Sequence, residues 1–171
     1  MSTTLLFVDD SIEVVKIATR YMGEIRPQWR FLLAHTLEEA RRIYNQNSPD
    51  AAVLDVELPD GNGLDLLSEF KSNRPELPII VISGDNSASL DQEVLNRGGY
   101  SFLSKPFSVP VLVNHVELAI SASQGLSPAK VASPETGGVW KNPNALVLRS
   151  EGETITPYTP EAMISKGVIL K

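Results

Sequence analysis

Five short apolar runs recur along the first 123 residues, each followed by a stretch of helical periodicity. No other feature constrains the fold as strongly. The runs are Leu5-Leu6-Phe7-Val8, Phe31-Leu32-Leu33-Ala34, Ala51-Ala52-Val53-Leu54, Ile79-Ile80-Val81-Ile82 and Phe102-Leu103. Four are continuous rather than alternating, as expected of strands covered on both faces. Between them, Val14, Ile17, Ala18 and Tyr21 make one helical face after Ser11, and Leu37, Ala40 and Ile43 another after Thr36. Leu64, Leu66, Leu67 and Phe70 follow Gly63; then come Leu90, Val94 and Leu95, and last Val113, Val116 and Ala119. Five β-α units in series predict an α/β, doubly wound, five-stranded parallel sheet with helices on both faces and right-handed crossovers.

Ligands of such sheets bind outside the carboxyl ends of the strands. The first strand ends in Asp9-Asp10, the third in Asp55, the fourth in Ser83-Gly84 and the fifth in Lys105-Pro106. These groups are therefore expected to converge in one shallow cleft. Three adjacent carboxylates repel and raise one another's pKa unless a cation compensates. A hard divalent ion such as Mg²⁺, which uses one or two protein carboxylates plus waters and phosphate oxygens, is the natural counterion. Mg²⁺ and Lys105 together balance the three carboxylates, so the site can admit a phosphoryl group. Asp55 would then be the nucleophile that forms an acyl phosphate. Lys105 would stabilise the transferring oxygens, and Ser83 would hydrogen-bond one of them afterwards.

These residues resemble the receiver domains of two-component response regulators. The likeness rests on Val8-Asp9-Asp10-Ser11, on Leu54-Asp55-Val56-Glu57-Leu58-Pro59-Asp60-Gly61-Asn62-Gly63, on Val81-Ile82-Ser83-Gly84, and on the run from Gly98 to Phe107 that contains Phe102, Lys105 and Pro106. It covers residues 3–123. The resemblance implies a flavodoxin-like sheet of strand order 2-1-3-4-5, with Asp55 as phosphoacceptor for a histidine kinase or phosphotransfer protein. It implies that Asp9, Asp10, Asp55 and the backbone carbonyl of Glu57 organise Mg²⁺, with Asp10 a direct ligand. Lys105 would contact the phosphoryl group, Ser83 and Phe102 would be the switch residues, and a cis peptide is expected before Pro106. Ser83 stands where Thr is commoner, and Phe102 where Tyr is commoner. Some family members dimerise through the fourth and fifth helices, with charged residues at the positions of Ser101, Val111 and His115. Two of these are uncharged here and the third is a weak cation, which argues against a dimer of that type while leaving other dimers open.

Residues 1–123 form the expected receiver domain. Residues 124–138, rich in Ser, Ala, Pro and Gly, read as a linker. In 139–171, Ala145-Leu146-Val147-Leu148 and Thr154-Ile155-Thr156 flank a Glu-Gly turn, and Thr159-Pro160-Glu161 opens a helix, so a short β-hairpin/helix appendage is expected. The stretch from Trp140 to Glu161 also resembles the opening strands of a winged-helix output domain, of which the chain would hold only a fragment.

Charge weighs on the choice of partner. Residues 1–125 hold 10 Lys/Arg against 17 Asp/Glu, a net −7, and residues 126–171 hold 5 against 4, a net +1. Phosphate contacts require clustered cations, so DNA binding by this chain alone is not expected. The chain has no cysteine, which excludes disulfides, thiolate zinc sites and a cysteine nucleophile. No apolar run approaches the ~20 residues needed to span a bilayer, and the N-terminal apolar stretch lacks a basic lead and meets two acids at once. A cytoplasmic protein without a signal peptide or a membrane partner is the expectation. Three functions compete: a phosphorylation-dependent module acting on an unknown downstream protein, a transcriptional regulator with an incomplete DNA-binding domain, and an aspartyl-phosphate phosphatase. The last would want a second aspartate two residues after the nucleophile, where this chain has Glu57, so a non-enzymatic signalling role is favoured.

Overall fold

The computed structural model describes residues 2–85 and 87–125. The expected hairpin and helix of 139–171, and the linker beyond Gly125, lie outside the described residues. Five strands form one parallel sheet: β1 (Thr3–Val8), β2 (Trp29–Ala34), β3 (Ala51–Asp55), β6 (Ile79–Ser83) and β7 (Ser101–Ser104), in the order β2-β1-β3-β6-β7. Counting only these five, the order is 2-1-3-4-5. Two further strands, β4 (Glu57–Leu58) and β5 (Gly61–Asn62), make a small antiparallel ribbon in the loop after Asp55. The helices are α1 (Ile12–Ile25), α2 (Leu37–Asn47), α3 (Gly63–Asn73), α4 (Ala88–Asn96) and α5 (Val109–Ser123).

Side chains alternate across a strand, so each apolar run serves two layers. Leu5, Phe7, Val53, Ile80 and Ile82 pack on one face with Val14, Ala18 and Met22 of α1 and Leu112, Val113 and Val116 of α5. Leu6, Val8, Leu54, Ile79 and Val81 pack on the other with α2, α3 and α4. Each fully buried aliphatic side chain contributes about 1.5–3 kcal/mol over an exposed one, and the central strands β3 and β6 are buried at every position.

The continuous apolar run of the second strand does not mean cover on both faces. Phe31, Leu32 and Leu33 are half-buried because β2 is an edge strand, and β7 at the opposite edge has no buried residue. Leu95, expected on the inner face of α4, is 46% exposed. Leu90 and Val94, four residues apart, form the buried stripe of this nine-residue helix, and the next position turns about 100° away from it. In α1 the buried residues are Val14, Val15, Ala18, Thr19 and Met22, while Ile17 and Tyr21 lie at the margin of the same core.

Side-chain caps start three of the helices, two of them at the Ser11 and Thr36 positions that precede the helical patterns in the sequence. The Ser11 hydroxyl accepts from Val14 N, Thr36 Oγ1 from Glu39 N at 3.1 Å, and Asn62 Oδ1 from Leu64 N at 2.8 Å. All three starts lie at the carboxyl end of the sheet, immediately after β1, β2 and the β4–β5 ribbon.

Candidate functional site

The parallel sheet delivers its strand ends to one place. Asp9 follows β1 and is completely buried; Asp55 is the last residue of β3 and 3% exposed; Ser83 closes β6, also completely buried. Asp10 is exposed beside them. Carboxylate oxygens of Asp9, Asp10 and Asp55 all lie within 4.8 Å of one another. Lys105, just past β7, places Nζ 2.9 Å from Asp9 Oδ2 and 2.6 Å from Asp55 Oδ2. Its loop is held in register by the Lys105 N–H donating to the Ser83 carbonyl at 2.7 Å, and the Lys105–Pro106 peptide is cis.

The remaining carboxylate oxygens have backbone partners. Asp9 Oδ1 accepts from Ser11 N at 2.9 Å, and Asp55 Oδ1 accepts from Glu57 N at 3.2 Å. Glu57 thus meets the site through its backbone, while its side chain is exposed. Ser83 Oγ accepts from Asp85 N at 3.0 Å and donates to no protein acceptor among the described residues. Phe102 is half-buried and packs against the core cluster that includes Leu90 and Val94 of α4.

Two buried carboxylates therefore share one ammonium, with a third carboxylate next to them. Burial pushes Asp55 up to about 6; Lys105 pulls it back, and Asp9 adds to the rise. For Lys105, burial acts to lower the pKa, but Asp9 and Asp55 outweigh it and hold the ammonium above its ordinary range. Among the described residues the uncompensated charge is −2. All three donors are hard oxygens, and Mg²⁺ at 2.0–2.1 Å from each ligand needs donors about 2.9–4.1 Å apart. The donor set and its charge fit that ion, with only a small closure of the cluster. This acidic group is the kind of site at which receiver domains hold Mg²⁺.

At the far side of β7, Ser101 Oγ and His115 Nδ1 lie 2.9 Å apart, and burial holds the His115 imidazole below its ordinary pKa. The Ser101 hydroxyl and His115 Nδ1 partner each other, and the pair offers no fixed charge at the surface.

Three contacts at the site are set by the fold rather than by local sequence. His35 Nδ1 lies 2.9 Å from the Asp9 carbonyl, and the Asp60 carboxylate accepts from Leu37 N and Glu38 N at the start of α2. Gly63 lies so close to Asp55 that a Cβ there would stand 1.8 Å from the Asp55 carbonyl oxygen. A lone histidine and an Asp-Gly turn carry little local signal. Only Thr36-Leu37-Glu38-Glu39, with the spacing of a capping box, marks the corner where the first two meet.

Comparisons with known proteins agree with this geometry. The family described as response regulator receiver domain matches residues 5–117. The probable transcriptional regulatory protein TcrX of Mycobacterium tuberculosis (strain ATCC 25618 / H37Rv) is 34% identical over 113 residues, covering 64% of this chain and 46% of that protein. The DNA-binding transcriptional regulator NtrC of Azospirillum brasilense is 30% identical over 125 residues, covering 71% of this chain and 25% of the other. The matched region is thus under half the length of either relative. A CheY-like receiver domain protein from Methanospirillum hungatei JF-1 superposes with a TM-score of 0.68 at 21% identity, covering 73% of this chain and 98% of that one, and this speaks for the fold. None of the described helices is long and apolar enough to cross a membrane. With sheet order, strand-end chemistry and sequence in agreement, the chain belongs to the response regulator receiver domain family, a family of two-component signalling modules rather than enzymes.

Proposed function

We propose that Asp55 accepts a phosphoryl group from the phosphohistidine of a histidine kinase or phosphotransfer protein, and that the resulting acyl phosphate switches a protein-interaction surface. The observation that carries this reading is the buried Asp55 carboxylate, 2.6 Å from Lys105 Nζ and within 4.8 Å of the Asp9 and Asp10 oxygens. A carboxylate oxygen of Asp55 attacks phosphorus, the phosphorus–nitrogen bond of the donor breaks, and the imidazole keeps the electron pair. Lys105 follows the charge onto the phosphoryl oxygens, and the Glu57 N–H steadies the carboxyl end that does not attack. Asp9, Asp10 and Asp55, with the backbone carbonyl of Glu57, would hold Mg²⁺, which when bound neutralises the incoming phosphoryl charge. A cytoplasmic location accompanies this class of partner. Phosphate incorporation from acetyl phosphate and Mg²⁺, followed by intact mass, tests the assignment.

For signal transmission, the Ser83 hydroxyl would leave Asp85 N and turn to a phosphoryl oxygen, and Phe102 would follow into the space beside it. A hydrogen bond to a charged acceptor contributes about 1.5–3 kcal/mol, and the bond given up about 0.5–1.5. The net of about 1 kcal/mol biases a pre-existing equilibrium roughly fivefold. Ser83→Ala should still be phosphorylated, yet the phosphorylation-induced NMR shifts of the Phe102 ring and of the Leu90 and Val94 methyl groups should shrink severalfold. Full-sized shifts in that variant would remove Ser83 from the path.

A second reading, a transcriptional regulator, draws on the names of the two relatives and on the likeness of Trp140 to Glu161 to a winged-helix opening. Charge opposes it for this chain alone: Lys141, Arg149, Lys166 and Lys171 are dispersed among Glu151, Glu153 and Glu161, whereas sequence-specific binding needs several phosphate contacts to fix register. Duplex-DNA affinity at physiological salt should therefore be weak and unchanged on removing residues 139–171. Tight, sequence-selective binding lost on truncation would establish the regulator reading instead.

A further inference from the structure

The corner between β2 and α2 touches both sides of the acid cleft without belonging to either. On the β1 side, Asp9 N donates to the Ala34 carbonyl at 3.2 Å, and His35 Nδ1 lies 2.9 Å from the Asp9 carbonyl. That carbonyl can only accept, so the imidazole is the donor and its Nδ1 carries the proton. On the β3 side, the Asp60 carboxylate bridges two backbone N–H groups, with Oδ1 2.8 Å from Leu37 N and Oδ2 3.1 Å from Glu38 N. Beside it the turn lies flush on the helix: Gly61 has φ +150°, and a Cβ there would stand 2.6 Å from Leu37 Cδ1. The corner is itself braced, because Glu39 Oε2 accepts from His35 N at 2.8 Å while Thr36 Oγ1 accepts from Glu39 N.

Asp60 thus satisfies two orphan donors of a helix that is not its own. The two N–H bonds, with Leu37 foremost, hold its carboxyl below the ordinary range. The loop it anchors runs directly from Asp55 through Glu57, whose N–H is bound to Asp55 Oδ1. The pairing of β1 with β3 fixes the backbone spacing as far as Val8 and Leu54, one residue short of Asp9 and Asp55. The loop segments just beyond the strands have no such constraint, and there the first turn of α2 supplies one.

We infer that Asp60 and His35 are positioning residues, the two links of a clamp in which the first turn of α2 holds the Asp9 carbonyl and the loop after Asp55 at a fixed separation and so sets Mg²⁺ affinity. The inference rests on the reading of the acid cluster as the Mg²⁺ site. A clamp fails when either link is cut, whereas independent local contacts fail separately. This difference is measurable by a double-mutant cycle.

The experiment is a calorimetric Mg²⁺ titration of the full chain, paired with amide hydrogen exchange. Asp60→Ala and His35→Ala should each weaken Mg²⁺ binding at least threefold, and the double variant should bind no more weakly than the worse single one. Losses that multiply in the double variant, or unchanged binding in either single variant, overturn the clamp. Asp60→Asn keeps one acceptor oxygen while removing the charge, so it should recover part of the affinity. Equal losses in the Asn and Ala variants would reduce the effect to charge and overturn it as well. Exchange gives a readout without metal: in Asp60→Ala the Glu57 amide should exchange faster together with those of Leu37 and Glu38, and acceleration confined to the latter two would make Asp60 a local cap only. Absence of Mg²⁺ binding by the unmodified protein would defeat the cluster's assignment rather than the clamp, which the exchange arm tests by itself.

Discussion

Asp55→Asn should abolish phosphorylation by acetyl phosphate and, at the same time, make the metal-free protein more stable. The first effect follows from removing the nucleophile: an amide has no carboxylate oxygen to attack phosphorus. The second follows from the charge count. Asp9 and Asp55 are both buried and share the single ammonium of Lys105, so replacing one of them leaves a balanced pair. The amide side chain of the variant would retain a carbonyl oxygen for Glu57 N, and Lys105 would retain Asp9. Burial has raised Asp55 from 3.8 to about 6, which means that the folded protein holds this proton more tightly than the unfolded chain does. The stability it contributes is present below the unfolded value and is lost as pH rises through about 6. At pH 8, in the presence of a chelator, the variant should therefore exceed the unmodified protein by on the order of 1–3 kcal/mol. At pH 5 the gap should narrow, because the wild-type carboxyl is then largely neutral. Mg²⁺ should stabilise the unmodified protein more than the variant, because the increment rises with the logarithm of concentration over Kd and the variant has lost one carboxylate ligand. Thermal melts at the two pH values, with chelator and with Mg²⁺, together with intact-mass labelling, test the whole set. Undiminished labelling of the Asn variant would move the phosphoacceptor elsewhere, and a variant equally destabilised at both pH values would refute the charge argument.

The members of the acid cluster that bear this cost of burial are also the part of the site most legible in the sequence. Asp9, Asp55, Ser83 and Lys105 are polar residues terminating apolar runs, and a parallel sheet sends all such termini to one edge. Their convergence is a property of topology, which the alternation of strand and helix patterns already specifies. Ser11 and Thr36 were legible for a similar reason, since a cap bonds its own helix two or three residues away. What resisted was every contact whose partners are brought together by the fold alone. Asp60 reaches Leu37 and Glu38 across more than twenty residues, and in isolation Asp60-Gly61 is an ordinary turn. Helix faces were read with the correct period but a blurred edge. Leu95 adjoins Val94 in sequence yet points outward, and in α1 the core admits Thr19 because its hydroxyl donates to the Val15 carbonyl at 2.7 Å. Periodicity gives the direction of a stripe; the width depends on the neighbouring helix, here α5.

The two glycines that flank the phosphoacceptor chemistry should respond to the same substitution with very different magnitudes. Gly63 opens α3, and its N–H donates to the Val56 carbonyl at 2.8 Å, pulling the helix start against the end of β3. A methyl group at Gly63 would stand 1.8 Å from the Asp55 carbonyl oxygen and 3.2 Å from Val56 Cα. Both obstacles are backbone, fixed on one side by the pairing of β3 with β1 and β6 and on the other by α3 and its Asn62 cap, so neither can swing aside like a side chain. The loop must move as a unit, carrying Glu57 and the orientation of the Asp55 carboxylate with it. Overpacking of this kind costs about 3 kcal/mol or more, equivalent to a fall in melting temperature of roughly 10 °C or more for a domain of this size. Gly63→Ala should accordingly unfold early and take up little phosphate even at temperatures where it remains folded. Gly84, immediately after Ser83, has no atom of the described residues within 4 Å of where a Cβ would stand. Gly84→Ala should change stability by no more than about 0.5 kcal/mol and leave labelling of Asp55 intact. Melting curves and labelling rates for the two variants, measured side by side, distinguish a glycine required by backbone approach from one that is merely tolerated. A Gly63→Ala protein as stable and as readily phosphorylated as the unmodified chain would mean that the loop after Asp55 is far more compliant than its packing against α3 allows.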